Sequence, residues 1–347
     1  SSASSGGARK SRKLLLVSLT LLAAFFLSMS VGRYAIGPLD ILKLIAAKLG
    51  VGVDLGSSAA AMNTVFWSIR LPRTVLAIGV GAALGASGAV FQGLFRNPLV
   101  SPDILGVSSG AGFGAATAIM FLAGGGLAVQ SMALVFGIVG VFVAYSIAER
   151  SKESTIVVLV LAGIVVSAVF TAGLSFLKYI ADPYEELPSI VFWTMGSFHA
   201  ANWRDVVYSL PIVVMGVSLL SALGWRLNVM TMGDEEAMGL GVDVRKIRLF
   251  FIVVSTLIVA SSISACGTIA WVGLVIPHIG RYLAGSDHKV LVPFCALLGG
   301  ALLLLMDTLA RMISTSEIPI SIITSFIGAP FLAYLLLRKK AGVWYAA

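Results

Sequence analysis

Long apolar runs constrain this sequence more than any other feature. A helix that crosses a bilayer needs about 20 predominantly apolar residues, and the chain of 347 residues holds ten such runs. Only 12% of the residues are charged, about half of the roughly 25% found in a soluble domain. We therefore expect an all-α, polytopic membrane protein with helices near 14–32, 66–94, 106–122, 127–147, 155–178, 206–224, 247–266, 269–285, 290–313 and 318–337.

Basic residues cluster at both ends of the chain, and they predict its orientation. An even number of spans puts both ends on one side, and basic residues beside spans face the cytoplasm. The basic residues are Arg9, Lys10, Arg12 and Lys13 at the start and Arg338, Lys339 and Lys340 at the end. This pattern accounts for the net charge of +8 without a nucleic-acid partner, and no nucleic-acid motif is present. We expect a multi-pass membrane protein, surrounded by lipid, with both termini cytoplasmic.

The spans and their flanks divide the chain into three parts. Residues 1–13 are expected to form a flexible cytoplasmic tail, 14–340 a single transmembrane domain, and 341–347 a C-terminal tail. Residues 9–32 could instead be a signal peptide. Their apolar run is longer than the apolar region of most signal peptides, which favours a retained first helix.

A broken stretch at 88–114 interrupts the apolar pattern. Pro98 and Pro102 each lack a backbone N–H and bias the preceding residue away from helical geometry, so the helix is expected to end here. The glycines and serines from Gly106 to Gly112 would let the next helix pack closely against its neighbours. Irregular backbone at membrane depth survives only inside protein or along a water-filled cavity. The stretch is thus what a translocation pathway requires.

Two further segments are interrupted in a similar way. Residues 267–277 loosely repeat the pattern of 88–98, and His278 follows them. Transporters often place their sites at interrupted helices in corresponding positions of internal repeats. The segment 188–195 is a candidate short half-helix ending at Gly196, either a gate or an interfacial anchor, since aromatic residues also favour the interface.

The largest internal loop, 225–246, is expected to lie in the cytoplasm. Its sequence predicts two short helices joined at glycine within 231–242, with acidic residues at the start of the first, where they favour the helix dipole, and with Gly239 and Gly241 as its C-cap and turn. The loop is either a docking surface or a solvated connector.

Charged residues within the spans are costly and therefore informative. Asp307 and Arg311 stand four apart on one helix face and can pair. The pair could fix the helix, relay protons or offer Arg311 as an external docking charge. Arg70 and Arg73 flank Pro72, where their stems could snorkel to the interface.

Enzyme chemistry finds no support in the sequence. No Lys follows a Gly, so a Gly-Lys-Ser/Thr phosphate loop is absent. Cys266 and Cys295 lie in apolar runs and read as buried thiols rather than as metal ligands. Transport driven by ATP would therefore need a separate ATPase subunit.

The chain resembles the permease family that imports iron–siderophores, haem and cobalamin, the type II ABC importers. The likeness runs in order through roughly 14–340. The matching motifs are Arg70–Arg73, Gly88–Gln92, Arg96–Leu99, Leu105–Gly112, Phe192–Ser197, Gly239–Gly241, Gly273–Arg281, Asp307, Arg311, Glu317–Ile320 and Gly328–Pro330.

The resemblance implies partners and roles for particular residues. It implies a second permease copy (a homodimer, or a heterodimer with a sister permease), two ATPase subunits that carry ATP and Mg, and a periplasmic or lipid-anchored substrate-binding protein. The permease itself would bind no cofactor and no metal, and would not be an enzyme. The resemblance also implies a location in a bacterial or archaeal cytoplasmic (inner) membrane. The implied residues are Asn97, Leu99, Ser154 and Thr155 for the cytoplasmic gate, Asp234, Glu235, Ala237, Gly239 and Leu240 for coupling to the ATPase, and Arg70 and Arg311 for docking of the binding protein. The match around Ser154 and Thr155 is loose.

Motifs shared by the whole family do not distinguish its substrates. Ferric siderophore ranks first, haem second and cobalamin third. A proton-coupled secondary transporter using Asp307 is the alternative from another class, but it has no need of the 225–246 loop.

Overall fold

The computed structural model describes residues 2–32, 34–51, 59–122, 125–151, 156–314 and 317–337, and within these ranges it is helical with no strand. The helices are α1 (Ser2–Ser30), α2 (Pro38–Lys48), α3 (Ala59–Asn63), α4 (Leu71–Leu94), α5 (Val107–Phe121), α6 (Gly126–Arg150), α7 (Ile156–Ile180), α8 (Glu186–Thr194), α9 (Trp203–Ala222), α10 (Gly224–Met232), α11 (Asp234–Gly239), α12 (Val244–Cys266), α13 (Val272–Ala284), α14 (His288–Ile313) and α15 (Ile320–Leu337). A π-helical segment, Thr64–Arg70, joins α3 to α4, and a 3-10 turn, Pro102–Leu105, precedes α5.

Each predicted apolar run corresponds to a helix: α1, α4, α5, α6, α7, α9, α12, α13, α14 and α15. Among the described residues, seven helices are long and apolar enough to cross a membrane, while α5 and α15 are shorter apolar helices. Helix α13 has only 13 residues and contains Pro277. The all-α, multi-span prediction is confirmed. Helix α1 begins at Ser2, within the segment assigned to the tail, and residues 338–347, with the C-terminal tail, lie outside the described part.

Backbone conformation explains why the chain breaks where it does. After α4, Arg96 has a φ of 47° and Gly106 a φ of 88°, both in the left-handed region that ends helices. The second interruption, between α12 and α13, has Gly267 at a φ of 78° and Trp271 at 71°. Both interrupted segments predicted from the sequence are therefore present.

The centre of the fold is a tight pair formed by α4 and α14. In α4, 83% of the most apolar window is buried, and in α14 the share is 72%. A methyl group added at Gly81 would lie 2.3 Å from the Gly299 carbonyl oxygen, and one at Gly85 would lie 2.2 Å from the Cys295 carbonyl oxygen. Small residues thus bring the two backbones into contact, as in other membrane helix pairs.

The connections lie on two faces of the bundle. The terminal face holds the start of α1, the end of α15, the turn after α4, and α10 and α11. The distal face holds α2, α8 and the connection between α14 and α15. Hydrogen bonds connect segments within each face. On the terminal face, Lys13 Nζ in α1 donates to the Ala284 carbonyl at the end of α13 (3.4 Å). On the distal face, Trp203 Nε1 at the start of α9 donates to the Trp67 carbonyl (2.8 Å).

Two short helices lie on the distal face, and α8 corresponds to the half-helix predicted at 188–195. Helix α2 begins with Gly37 as its N-cap and Pro38 in its first turn, an arrangement that suits the fixed φ of proline. Helix α8 ends at Thr194, just before Gly196, whose φ is 65°.

Candidate functional site

The turn after α4 lies on the terminal face and carries two of the predicted gate residues. Asn97 Oδ1 accepts a hydrogen bond from the Leu99 N–H at 2.9 Å, and the Asn97 carbonyl accepts one from the Val100 N–H at 3.3 Å. This is the turn in which an Asn side chain bonds the backbone two residues on. It leaves the Leu99 side chain 54% exposed. The other two predicted gate residues, Ser154 and Thr155, lie outside the described residues.

Two short helices, α10 and α11, lie in this loop and are joined at Gly233 with a φ of 135°. The acidic residues begin α11 as predicted, but α11 is the second short helix of the loop and not the first, because α10 already covers Gly224–Met232. Ala237 is completely buried in the hydrophobic core, whereas Leu240 is 62% exposed. Glu235 and Gly239 are exposed as well. Of the predicted coupling residues, Ala237 therefore anchors α11, and three others face outward beside the exposed Met238.

The fifth coupling residue, Asp234, is bound within the chain. Both of its carboxylate oxygens lie 2.7 Å from Nη2 of Arg248 in α12. Sequence reasoning missed this partner. Arg248 stands 14 residues further on, in the first turns of a helix whose start the sequence predicted three residues too late, at 247.

Polar contacts tie α10 to the start of α14. Asn228 Nδ2 donates to Asp287 Oδ1 at 2.8 Å, and Asn228 Oδ1 accepts from the His288 N–H at 2.8 Å. Because α14 also carries Asp307, one rigid helix connects the terminal face with the distal face.

A groove of about 460 Å³ opens next to α11. Its wall is amphipathic, since it combines ionisable side chains with apolar ones. The lining includes Tyr145, Glu149, Met238, Val242, Arg245 and Arg248. The groove joins the end of α6 to the candidate docking helix.

A network of charged residues is buried near the distal face. Asp307 is completely buried, and Arg73 binds it through Nε at 3.1 Å and Nη2 at 2.8 Å. Arg73 Nη1 also binds Glu317 at 2.8 Å. The predicted pairing of Asp307 with Arg311 is confirmed at 3.4 Å, but Arg73 is the closer partner. Burial makes such pairing necessary, because an unpaired charge in this position is very costly.

Glu317 links this network to the surface. It has a φ of 51° and lies 3.3 Å from Nδ1 of the exposed His199. Burial raises the pKa of the Glu317 carboxyl, but the charges and hydrogen bonds of Arg73 and His199 outweigh it and bring that pKa below its ordinary value.

The two predicted docking arginines are placed differently. Arg70 is only 4% exposed, and it donates to the carbonyls of Met29 (2.5 Å) and Tyr34, at the end of α1 and just after it. It is enclosed by protein rather than snorkelling. The Arg311 side chain is only 9% exposed, and it donates from Nη2 to Ser28 Oγ at 2.8 Å. Both lie at the distal face, and their docking role remains a prediction.

The two thiols are placed as predicted. Cys266 and Cys295 are free and buried. In the described part of the chain, no group of three or more His, Cys, Asp or Glu residues is arranged to hold a metal ion.

Comparisons with known proteins agree over most of the chain. The model of the FecCD transport family matches residues 20–338. The molybdate import permease MolB of Haemophilus influenzae is 39% identical over 94% of this chain and 96% of its own. The iron(3+)-hydroxamate import permease FhuG of Bacillus subtilis is 33% identical over 93% and 95%.

A solved structure agrees as well. An ABC transporter described as of metal-chelate type, in an inward-facing conformation, matches with a TM-score of 0.84 and 37% identity, covering 94% of this chain and 99% of that one. The family match, the full-length relatives and the shared fold lead to one conclusion. The chain belongs to the FecCD transport family and is a permease subunit of an ABC importer.

Proposed function

We propose that this permease passes a metal-containing solute from a substrate-binding protein to the cytoplasm, driven by two separate ATPase subunits that hold ATP and Mg. The observation that carries the proposal is the outward face of α11, where Glu235, Gly239 and Leu240 are exposed although α11 is anchored in the core. An exposed leucine beside acidic residues is more typical of a docking contact than of a solvated connector.

Membership of the family supports proposals for the remaining parts of the assembly. A second permease copy is proposed, and the pathway would run between the two copies. Asn97 and Leu99 would form the gate on the terminal face, with Ser154 and Thr155 nearby. On the distal face, Arg70 and Arg311 would meet acidic residues of the binding protein. The terminal face would then be cytoplasmic.

Two substrates deserve first testing. Ferric siderophore is the first candidate of the sequence analysis, and the iron(3+)-hydroxamate relative supports it. Molybdate is added because the molybdate permease is 39% identical over 94% of the chain. Haem and cobalamin follow.

The test is uptake into proteoliposomes that contain the permease with its ATPase subunit and binding protein. With ATP sealed inside, a ferric siderophore, molybdate, haem and cobalamin are offered in parallel. Uptake of one of them that requires ATP supports the proposal and identifies the substrate. Uptake that does not require ATP but depends on a pH gradient would overturn the proposal in favour of the proton-coupled alternative.

A pair of variants connects this test to the structure. Leu240→Ser should reduce co-purification of the ATPase subunit, because it removes an apolar contact from the outward face of α11. The matched control is Leu39→Ser, an exposed leucine (73%) of α2 on the distal face, which should co-purify as well as the parent. Equal behaviour of the two variants would argue against docking at α11.

A further inference from the structure

We propose that Arg248 is a positioning residue, which holds α11 through Asp234 in the orientation needed for an ATPase subunit to dock. The inference rests on the proposed function and changes the role of Asp234. This carboxylate would act inside the permease, while Glu235, Met238 and Leu240 would make the contact with the ATPase.

Helix α11 cannot fix its own orientation. It has six residues, far fewer than the roughly 12–15 that an isolated helix needs for marginal stability. Glycines in the left-handed region lie just outside both of its ends, Gly233 with a φ of 135° and Gly241 with a φ of 78°. Since glycine permits many conformations there, side-chain anchors must hold the helix.

The structure shows two such anchors. Ala237 is completely buried and fixes the depth of α11. A methyl group in the core, however, leaves α11 free to turn about its contact. The bond from Arg248 Nη2 to both oxygens of Asp234 ties the first residue of α11 to α12 and removes this freedom.

The Arg248–Asp234 pair differs from the neighbouring Arg245–Glu149 pair in the burial of its arginine. The Arg248 side chain is 15% exposed and that of Asp234 is 40% exposed. One turn earlier, Arg245 also makes a 2.7 Å ion pair, with Glu149, but the Arg245 side chain is 74% exposed and that of Glu149 is 34% exposed. An ion pair between solvated side chains contributes little, whereas a partly buried arginine that holds both carboxylate oxygens contributes more. Arg245 therefore serves as a control of the same residue type, on the same helix and with the same bond length.

The first experiment measures α11 in the permease alone. A spin label at Met238→Cys, an exposed position, reports the mobility of α11, and both native cysteines are buried. Arg248→Gln and Asp234→Asn should each increase that mobility, Arg248→Lys should restore part of the order, and Arg245→Gln should leave the spectrum unchanged. Unchanged mobility in Arg248→Gln overturns the proposal.

The second experiment measures how tightly the ATPase subunit binds the permease that carries the same substitutions at Arg248 and Asp234, with Met238 unchanged. Arg248→Gln and Asp234→Asn should each weaken this binding roughly fivefold, and the double variant no further, because both remove the same interaction. If Asp234→Asn weakens binding while Arg248→Gln does not, or if the two effects add, Asp234 contacts the ATPase directly and the proposal is wrong. If the ATPase subunit does not bind even the parent permease, the proposed function fails, and the mobility measurement still decides the role of Arg248.

Discussion

Asp307 shows how a single charge is accommodated inside the membrane domain. It is fully buried and meets two arginines, Arg73 at 2.8 Å and Arg311 at 3.4 Å. Glu317 supplies the second negative charge that balances them. The structure therefore favours the reading in which Asp307 fixes its helix, as part of a network that joins α4, α14 and the start of α15.

Asp307→Asn should destabilise the permease by about 3–5 kcal/mol, because it leaves two buried arginines without their main counter-charge. Unfolding in detergent micelles, followed by thermal scanning, measures the loss. Glu317→Gln is the control, since the Glu317 side chain is 19% exposed and water can replace part of its contact. It should cost clearly less, and an Asp307→Asn protein as stable as the parent would contradict the structural role of the network.

The sequence could predict only part of this network. Helical spacing predicts the contact between Asp307 and Arg311, because residues four apart share a helix face. Arg73 lies 234 residues away from Asp307 in the chain, and no local pattern connects them. The signal that could have found the pair was the small number of charges in the spans, since each buried charge requires an opposite partner.

Glycine determines how closely the helices pack. A methyl group added at Gly88 would lie 1.9 Å from the Gly273 carbonyl oxygen, and one at Gly110 would lie 2.4 Å from the Phe136 carbonyl oxygen. Such distances are incompatible with a side chain unless the backbones separate. The close packing predicted for the helix after the first break is thereby confirmed, whereas its partner, α6, could not be identified from the sequence.

Two glycines of α5 provide a matched test of this packing. Gly110→Ala should lower the free energy of unfolding by about 1–3 kcal/mol, the usual cost of overpacking. Gly112→Ala places its methyl group 3.5 Å from Leu174 Cδ2, an ordinary contact. It should leave stability unchanged or raise it by up to about 1 kcal/mol, because alanine favours the helix. Thermal unfolding in detergent compares the two, and a Gly112→Ala protein less stable than Gly110→Ala would refute the packing argument.

The order and type of the helices followed from the sequence because apolar length and proline breaks are local signals. The residues at which the helices begin were harder to predict. The run expected to begin at 66 is continuous with α3 from Ala59 through a π-helical segment, and α12 starts at Val244 because Asp243 caps it by accepting a hydrogen bond from the Lys246 N–H at 3.1 Å. A single capping side chain is a weaker sequence signal for a helix boundary than a run of apolar residues is for the helix itself.

The described part of the molecule has one terminal and one distal face, and the positive-inside rule predicts that the terminal face is cytoplasmic. Every proposed role depends on this prediction. In that orientation, the ATPase would reach α11 from the cytoplasm, and the binding protein would reach Arg311 from the other side.

Labelling of single cysteines tests the orientation. Lys43→Cys in α2 should react with a membrane-impermeant maleimide in intact spheroplasts, while Lys246→Cys in α12 should react only after the membrane is opened. Both lysines are exposed, and Cys266 and Cys295 are 5% and 0% exposed, so the native thiols should stay silent. The opposite labelling pattern would reverse the orientation and with it the assignment of α11 to the ATPase side.

Helix α12 spans the molecule from the Arg248 contact to Cys266, whose carbonyl accepts a hydrogen bond from the Ser197 N–H at 2.7 Å, just beyond α8. Its 23 residues make a rod of about 34 Å, at about 1.5 Å per residue. A tilt of about 10° around its middle would displace each end by about 3 Å, by the same helix geometry. That displacement is as large as the hydrogen bond itself. A small rotation started at the terminal face would therefore either break the bond to Ser197 or move the segment after α8 together with α12. In the second case, α12 would couple a movement at the terminal face to one at the distal face.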